Sequence, residues 1–170
     1  MNLENFTARL SNNAQTIHSL VRGVTDKQAR WKPSPDEWSI VEVINHLCDE
    51  EREDFRMRLD LTLHHPGQPW PGIDPEGWAV EHKYNDRHLE TSMYDFLTER
   101  QRSVSWLAGL SSPDWEACYE HPRAGKISAG DLLASWLAHD LLSIRHLAEL
   151  HWKYVSLLAK PYATDYAGAW

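Results

Sequence analysis

The 170-residue sequence predicts an all-α fold, a four-helix bundle with two long connections. Four segments show apolar residues at helical spacing, two irregular segments separate them, and alternating strand patterns are scarce. Nine tryptophans and a hydrophobic content of 42% indicate a packed core rather than disorder. We expect one domain over residues 1–160 and a C-terminal tail over residues 161–170.

The first predicted helix ends just before Gly23. Its apolar positions recur every three or four residues: Leu3, Phe6, Leu10, Ala14, Ile17 and Val21. Residues 25–38 contain two prolines and predict an ordered connector with one short helical turn.

The second predicted helix begins at Ser39 and runs through Leu63. Ser39 and Glu42 form a capping-box pattern, in which each side chain accepts a hydrogen bond from the other residue's backbone N–H. Residues 66–88 contain four prolines and three glycines, too many breakers for a helix. They predict a long loop, and loops of this length in compact domains are often functional.

The third and fourth helices complete the predicted bundle. Apolar residues mark the third helix: Leu89, Met93, Phe96, Val104 and Leu107. Residues 111–127 predict an irregular crossing, after which Ser128 and Asp131 provide a start signal for the fourth helix.

The charge and composition of the chain argue against some classes of partner and indicate where in the cell we expect the protein. The formal net charge of −8, without a basic run, argues against nucleic acid as a partner. No run of 18 apolar residues could span a membrane, and the first twenty residues lack the apolar core of a signal peptide. Cys48 and Cys118 match no disulfide framework or CxxC pair, so we expect a reduced, cytoplasmic protein.

The fourth helix carries two histidines on a stripe that should face the core. At ~100° per residue, one narrow sector contains Leu132, Trp136, His139, Ser143, His146, Leu147 and Leu150. Burying an unpaired imidazole costs roughly 1–3 kcal/mol. The pair therefore indicates either a metal or acid–base site, or two core histidines bonded to other side chains.

Two further polar positions could belong to such a site. His46 on the second helix has Glu50 one turn later, a spacing that places two metal ligands on one face. Arg100 falls within the apolar stripe of the third helix and needs a carboxylate partner, for which Glu50 and Glu53 are the candidates. The alternative is that the Arg100 stem reaches to solvent.

These residues carry a family resemblance. The strings WKPSPDEWSIVEVINHLCDEE and HPRAGKISAGDLLASWLAHDLLSIRHLAEL resemble the DinB/YfiT-like superfamily of metal-dependent enzymes. The resemblance implies a four-helix bundle, often a homodimer. It also implies a divalent metal of the zinc or nickel type, held by one histidine from the second helix and two from the fourth, spaced i and i+4. Carried onto this chain, the first ligand is His46 and the second is His139.

The third ligand position departs from the family pattern, because Ser143 stands four residues after His139. His146 is the candidate substitute, but it lies ~10.5 Å from His139 along the helix axis. The His146 side chain leans towards His139 while that of His139 leans away, so convergence on one ion would be strained. A carboxylate such as Glu50 could complete the site. Otherwise the chain is a degenerate member that has lost its metal.

Two functions follow from this pattern. The first is a metal-dependent enzyme, a hydrolase or thiol transferase acting on a small molecule, with Arg100 binding an acidic group of the substrate. The second is a non-catalytic ligand-binding or stress-related bundle without metal. Its pocket walls would be Trp70, Trp78 and Trp115, unless these tryptophans simply close the ends of the bundle.

Overall fold

The computed structural model describes residues 1–168 and 170. In chain order its α-helices are α1 (Leu3–Val21), α2 (Asp26–Ala29), α3 (Ile40–Asp49), α4 (Arg56–His64), α5 (Pro75–Glu81), α6 (Leu89–Ala108) and α7 (Ala129–Leu158). A π-helical turn (Glu50–Phe55) joins α3 to α4. Short 3₁₀ turns occur at Tyr84–Asp86 and Asp165–Ala167. The antiparallel strands β1 (Cys118–His121) and β2 (Gly125–Ser128) form a hairpin.

The bundle consists of α1, the continuous segment α3–π–α4, α6 and α7. The α1 helix packs against both α6 and α7, while α3 packs against α6 and α4 against α7. This arrangement confirms the predicted four-helix bundle and places the second and fourth helical segments in contact.

Two apolar clusters form the core, with a polar layer between them. One cluster surrounds Ile44 and Phe96, and the other surrounds Leu133 and Trp136. Buried polar residues occupy the intervening positions on three of the helical segments: Glu51, Arg100 and Asp140. A charged layer inside a bundle must be internally paired, because unpaired buried charges are strongly destabilising.

Both predicted helix starts are confirmed. The Ser39 hydroxyl accepts from the Glu42 amide while the Glu42 carboxylate accepts from the Ser39 amide. Ser128 and Asp131 make the same reciprocal contacts at the start of α7. The predicted turn in residues 25–38 is α2.

Two local expectations are wrong. Residues 66–88 include helix α5, because Asp74 caps it and a proline at its first position needs no N–H donor. The predicted irregular crossing at residues 111–127 contains the hairpin, whose four-residue strands are too short to show an alternating pattern. The second helix extends from Ile40 to His64, close to its predicted bounds. It contains a wider π-helical turn at Glu50–Phe55, which the spacing of side chains did not indicate.

No helix among residues 1–168 and 170 is long and apolar enough to cross a membrane. Cys48 and Cys118 are free thiols. The domain boundary at residue 160 stays a prediction.

Candidate metal centre

The candidate centre begins with two histidines from facing helices. His46 on α3 and His139 on α7 place their Nε2 atoms 3.3 Å apart, with ring planes inclined by 68°. Two nitrogen ligands that each lie 2.0–2.1 Å from a tetrahedral zinc ion are about 3.3 Å from one another. The separation therefore fits a pair that shares one ion. Without an ion, one ring donates to the other.

Glu50 is the third member of the cluster. One donor atom from each of His46, Glu50 and His139 lies within 4.8 Å of the others. The Glu50 side chain is buried, and its Oε1 atom is 3.8 Å from His46 Nδ1. Among the described residues neither of these two atoms has a hydrogen-bond partner. Buried polar atoms without partners call for an explanation. An ion held by the two Nε2 atoms would give Glu50 Oε1 a partner, but not His46 Nδ1, which lies on the other side of the same ring.

Burial controls the protonation of these groups. It lowers the pKa of His46 to about 3, with a further contribution from His139, and it also lowers the pKa of His139. Both rings are therefore neutral at pH 7, the form that binds metals. Burial raises the pKa of Glu50 to about 8, and the neighbouring Asp54 adds to this effect. A bound cation would favour the ionised form of Glu50.

The rings of both histidines are flanked by aromatic side chains. The Trp38 ring centroid lies 4.7 Å from that of His46, and the Phe55 centroid lies 5.4 Å from that of His139. Trp38 also lines a cleft of about 560 Å³ with Lys32, Glu42 and Lys83 among its walls. Trp38 thus lies between the His46 ring and a cleft of small-molecule size, whose walls include none of His46, Glu50 and His139.

The structure gives Arg100 partners other than those predicted. Arg100 Nε donates to Glu51 (2.9 Å), and its terminal nitrogens donate to Asp140 and to the Leu10 carbonyl. Glu50 and Glu53 are not its partners, and at 2% exposure the side chain does not reach solvent. The carboxylates of Glu51 and Asp140 face the guanidinium from two neighbouring helical segments and bind it instead. The guanidinium is thereby engaged in holding the bundle together.

Ser143 and His146, the two other candidate site residues on α7, lie outside the group formed by His46, Glu50 and His139. Ser143 is buried on α7, one turn after His139. His146 is half-buried, and within the described part of the chain it joins no group of three close ligand atoms. Burial lowers its pKa, and the charges of Glu149, Lys153 and Glu37 act on it. The assignment of His146 as a ligand stays a prediction.

A second buried carboxylate, missed by sequence reasoning, lies beside the centre. Asp49 accepts hydrogen bonds from Tyr84, from His82 (2.9 Å) and from Arg52. Burial alone would raise its pKa, but these three donors hold the pKa of Asp49 below its ordinary value. Asp49 therefore fastens the end of the 66–88 segment to α3. In the sequence, a histidine and a tyrosine within a proline-rich segment do not indicate this role.

The tryptophans in the two connections have structural contacts. Trp70 stacks on Tyr119 of the hairpin at 4.2 Å, and Trp115 packs against the apolar cluster around Leu133. The walls of the cleft at Trp38 do not include Trp70, Trp78 or Trp115. These contacts support closure of the bundle end by Trp70 and Trp115.

Comparisons with known proteins show which family and which relatives this chain resembles. The family described as "DinB superfamily" matches residues 9–150. A protein of Oceanobacillus iheyensis named "Putative metal-dependent hydrolase" is 30% identical over 115 residues, which cover 66% of this chain and 64% of that protein. The match thus spans just under two thirds of that relative. A Bacillus pumilus protein of the same name is 24% identical over 152 residues, covering 87% of this chain and 84% of that protein.

A solved structure shows the same architecture. YfiT from Bacillus subtilis, described as "a probable metal-dependent hydrolase with an unusual four-helix bundle topology", superimposes with a TM-score of 0.77. The match covers 87% of this chain and 85% of that chain at 19% identity. At this identity the likeness shows the fold alone.

Proposed function

This chain belongs to the DinB superfamily, and from that premise we propose that it is a metal-dependent hydrolase of a small molecule. The ion would be held by His46, His139 and Glu50. The observation that carries the proposal is the 3.3 Å approach of the two histidine Nε2 atoms beside an unpartnered, buried Glu50 oxygen. The names of two relatives as metal-dependent hydrolases support the reaction class.

Each residue of the centre has a distinct task in this proposal. When bound, a divalent ion of the zinc or nickel type supplies Lewis acidity. His46 and His139 would bind it as neutral rings without releasing a proton, whereas Glu50, whose pKa burial raises to about 8, would lose its proton on binding. Glu50 contributes the single negative charge of the ligand set. Trp38 and Phe55 cover the flanks of the rings and exclude water from them.

The cleft beside Trp38 is the proposed place for the substrate. It combines apolar walls, including Trp38 and Val80, with the charged residues Lys32, Glu42 and Lys83. Lys32 and Glu42 form a pair at 3.2 Å. A small molecule seated in this cleft would contact Trp38, whose ring touches that of His46. In this proposal Arg100 does not bind substrate, because its donors already serve Glu51, Asp140 and Leu10.

The first experiment measures metal content and zinc affinity in protein purified without a histidine tag. We expect about one equivalent of metal in the native chain and its loss in His139→Ala. His64→Ala is the matched control, because His64 is an exposed histidine on α4 whose partner is Asp60. It should keep the metal. Circular dichroism checks that each variant folds.

The second experiment tests the reaction class with metal-loaded protein. Hydrolysis of simple activated esters or amides, lost in His139→Ala, supports the hydrolase. Consumption of a free thiol with an electrophilic acceptor, without hydrolysis, would instead favour the thiol transferase. A metal-free native chain that gains strong binding on Ser143→His would show a decayed site. The cleft at Trp38 would then favour the second candidate, a ligand-binding bundle without metal.

A further inference from the structure

Three aromatic rings lie in a row beside the candidate centre, in the order Trp136, Phe55 and His139. The Phe55 ring is nearly parallel to that of Trp136, with the two planes inclined by 7° and the centroids 5.6 Å apart. The Phe55 centroid also lies 5.4 Å from that of His139. Trp136 and His139 both belong to α7, whereas Phe55 ends the π-helical turn of the second helical segment. One side chain of the second segment therefore contacts both a proposed ligand and the tryptophan three residues before it.

The Trp136 ring is itself held by a hydrogen bond. Its indole Nε1 donates to Glu51 Oε1 at 2.7 Å, and both side chains are buried. Glu51 also accepts from Arg100 Nε at 2.9 Å, so its carboxylate is fixed in turn. Nearly parallel rings at the separation of Phe55 and Trp136 are offset-stacked, a favoured aromatic arrangement. The Phe55 ring therefore rests on an indole whose edge is fixed, inside a packed core where side chains have little room to turn.

The direction of the His139 ring depends on this packing, because the ring has little other support. A histidine that binds a metal ordinarily donates its second ring N–H to a carboxylate, a carbonyl or water, which sets the orientation of the ring. Within residues 1–168 and 170 the only hydrogen bond of the His139 ring to another residue joins its Nε2 to His46 Nε2. An ion bound between those two nitrogens would replace that bond. Ring contacts would then decide where His139 Nε2 points, and among the described residues Phe55 is the aromatic neighbour that does not itself belong to the centre.

Resting on the proposed function, we infer that Phe55, held against the Trp136 indole, is a positioning residue that directs the His139 ring at the ion. It thereby sets the zinc affinity of the centre. Plain core packing makes a different prediction. In that case loss of the Phe55 ring lowers the free energy of unfolding, but the folded molecules keep native zinc affinity. Positioning predicts weaker zinc binding by the folded protein, together with a change in the geometry of the ligand set.

The test is the zinc dissociation constant of the folded protein, measured by competition with a chelating dye. We expect Phe55→Leu to weaken binding by ~10–100-fold, the usual effect of losing a residue that orients a ligand. Trp136→Phe keeps an aromatic ring but loses the bond to Glu51, so it should weaken binding by a smaller factor. Phe55→Tyr keeps the contacting ring and should bind zinc as the native chain does. Cobalt(II) bound in place of zinc should show shifted absorption bands in Phe55→Leu, because those bands follow the geometry of the ligands.

Phe6→Leu is the matched control, because Phe6 packs against the same apolar cluster as Phe55 but from α1. It should lower stability towards urea while keeping native zinc affinity and the native cobalt spectrum. Native affinity in Phe55→Leu, or an equal loss in Phe6→Leu, would overturn the inference while leaving the proposed function intact. Absence of zinc binding in the native chain would overturn both. If circular dichroism shows that Phe55→Leu does not fold, Trp136→Phe takes its place, and native affinity there would overturn the inference.

Discussion

Arg100 and Asp140 form a bidentate ion pair at the centre of the bundle. Arg100 NH1 donates to Asp140 Oδ2 at 2.8 Å and NH2 donates to Oδ1 at 2.7 Å. Glu51 and the Leu10 carbonyl accept from the same guanidinium. One side chain of α6 is thus bonded to each of the other three helical segments. This joint fixes the axial position of α7, and therefore of His139, relative to α3.

Asp140→Asn should destabilise the fold strongly. Neither partner of the pair is more than 3% exposed, and an asparagine amide turns one of the two accepting oxygens into a donor that faces the guanidinium. Glu51 still compensates the charge of Arg100, so we expect a loss of ~1–3 kcal/mol in the free energy of unfolding, measured by urea denaturation. Asp26→Asn is the control, because Asp26 forms an exposed pair with Arg30. Its effect should stay within ~0.5 kcal/mol, and equal effects of the two changes would refute this account.

Ser143→His should strengthen zinc binding. Ser143 is buried on α7 one helical turn after His139, so a histidine there places a third imidazole beside the pair. We expect a gain in affinity of at least ~10-fold, equivalent to ~1.4 kcal/mol, by dye competition. Ser105→His, at an exposed position on α6, is the control for an added histidine. An equal gain in both variants would mean that the site at Ser143 is not involved.

The two cysteines should differ sharply in reactivity. Cys48 is 3% exposed, and burial raises the pKa of its thiol to about 12. Cys118 lies at the start of β1 and is partly exposed. Because the thiolate is the reactive form, we expect one fast equivalent with a disulfide reagent near pH 8 and a second only on unfolding. Cys118→Ser should abolish the fast equivalent. Two fast equivalents in the folded native chain would contradict the burial of Cys48.

Ser128→Ala should weaken the start of α7. Loss of this cap is expected to cost ~1 kcal/mol near neutral pH, measured by urea denaturation. Hydrogen bonds from Ser128 lower the pKa of Asp131, so their contribution is present above the ordinary aspartate value and lost as pH falls through the lower folded-state value. The difference between native and variant should therefore shrink in acid. A difference that stays constant below pH ~3 would exclude this contribution of Asp131.

The homodimer implied by the family resemblance has a candidate surface on α7. Leu141, Trp152 and Val155 are exposed and lie within one sector of the helix. We expect light scattering at micromolar concentration to give about twice the chain mass of 19.7 kDa, and Leu141→Glu to halve it. A molar mass equal to that of one chain would contradict this prediction.

The helices were predictable because their signals are local. Apolar spacing and the two capping boxes at Ser39 and Ser128 depend only on neighbouring residues, and both were confirmed. His46 and His139 were also identified, since a polar residue on a core-facing stripe needs a reason, and the structure brings them together. Their role as ligands stays a prediction.

Contacts across the bundle were less predictable because they depend on which helix faces which. Asp140 lies ~100° around α7 from His139. A side chain in that direction would face solvent if α7 were buried on one side only. In the structure α7 contacts α1, α3 and α4, so Asp140 is fully buried and takes the place predicted for Glu50 as the Arg100 partner. The widened turn at Glu50–Phe55 likewise leaves no trace in the spacing of residues.

The attachment of the long connection to Asp49 has a consequence for how the protein can vary. His82 and Tyr84 anchor the far end of the connection to the same helix that supplies His46. Residues 66–73 precede both this anchor and helix α5. A cut or an insertion near Gly72 would thus be separated from the candidate centre by two fixed contacts. Changes in length are therefore best tolerated between Pro71 and Asp74, because Trp70 before this stretch stacks on Tyr119, and His82 and Tyr84 after it are bonded to Asp49.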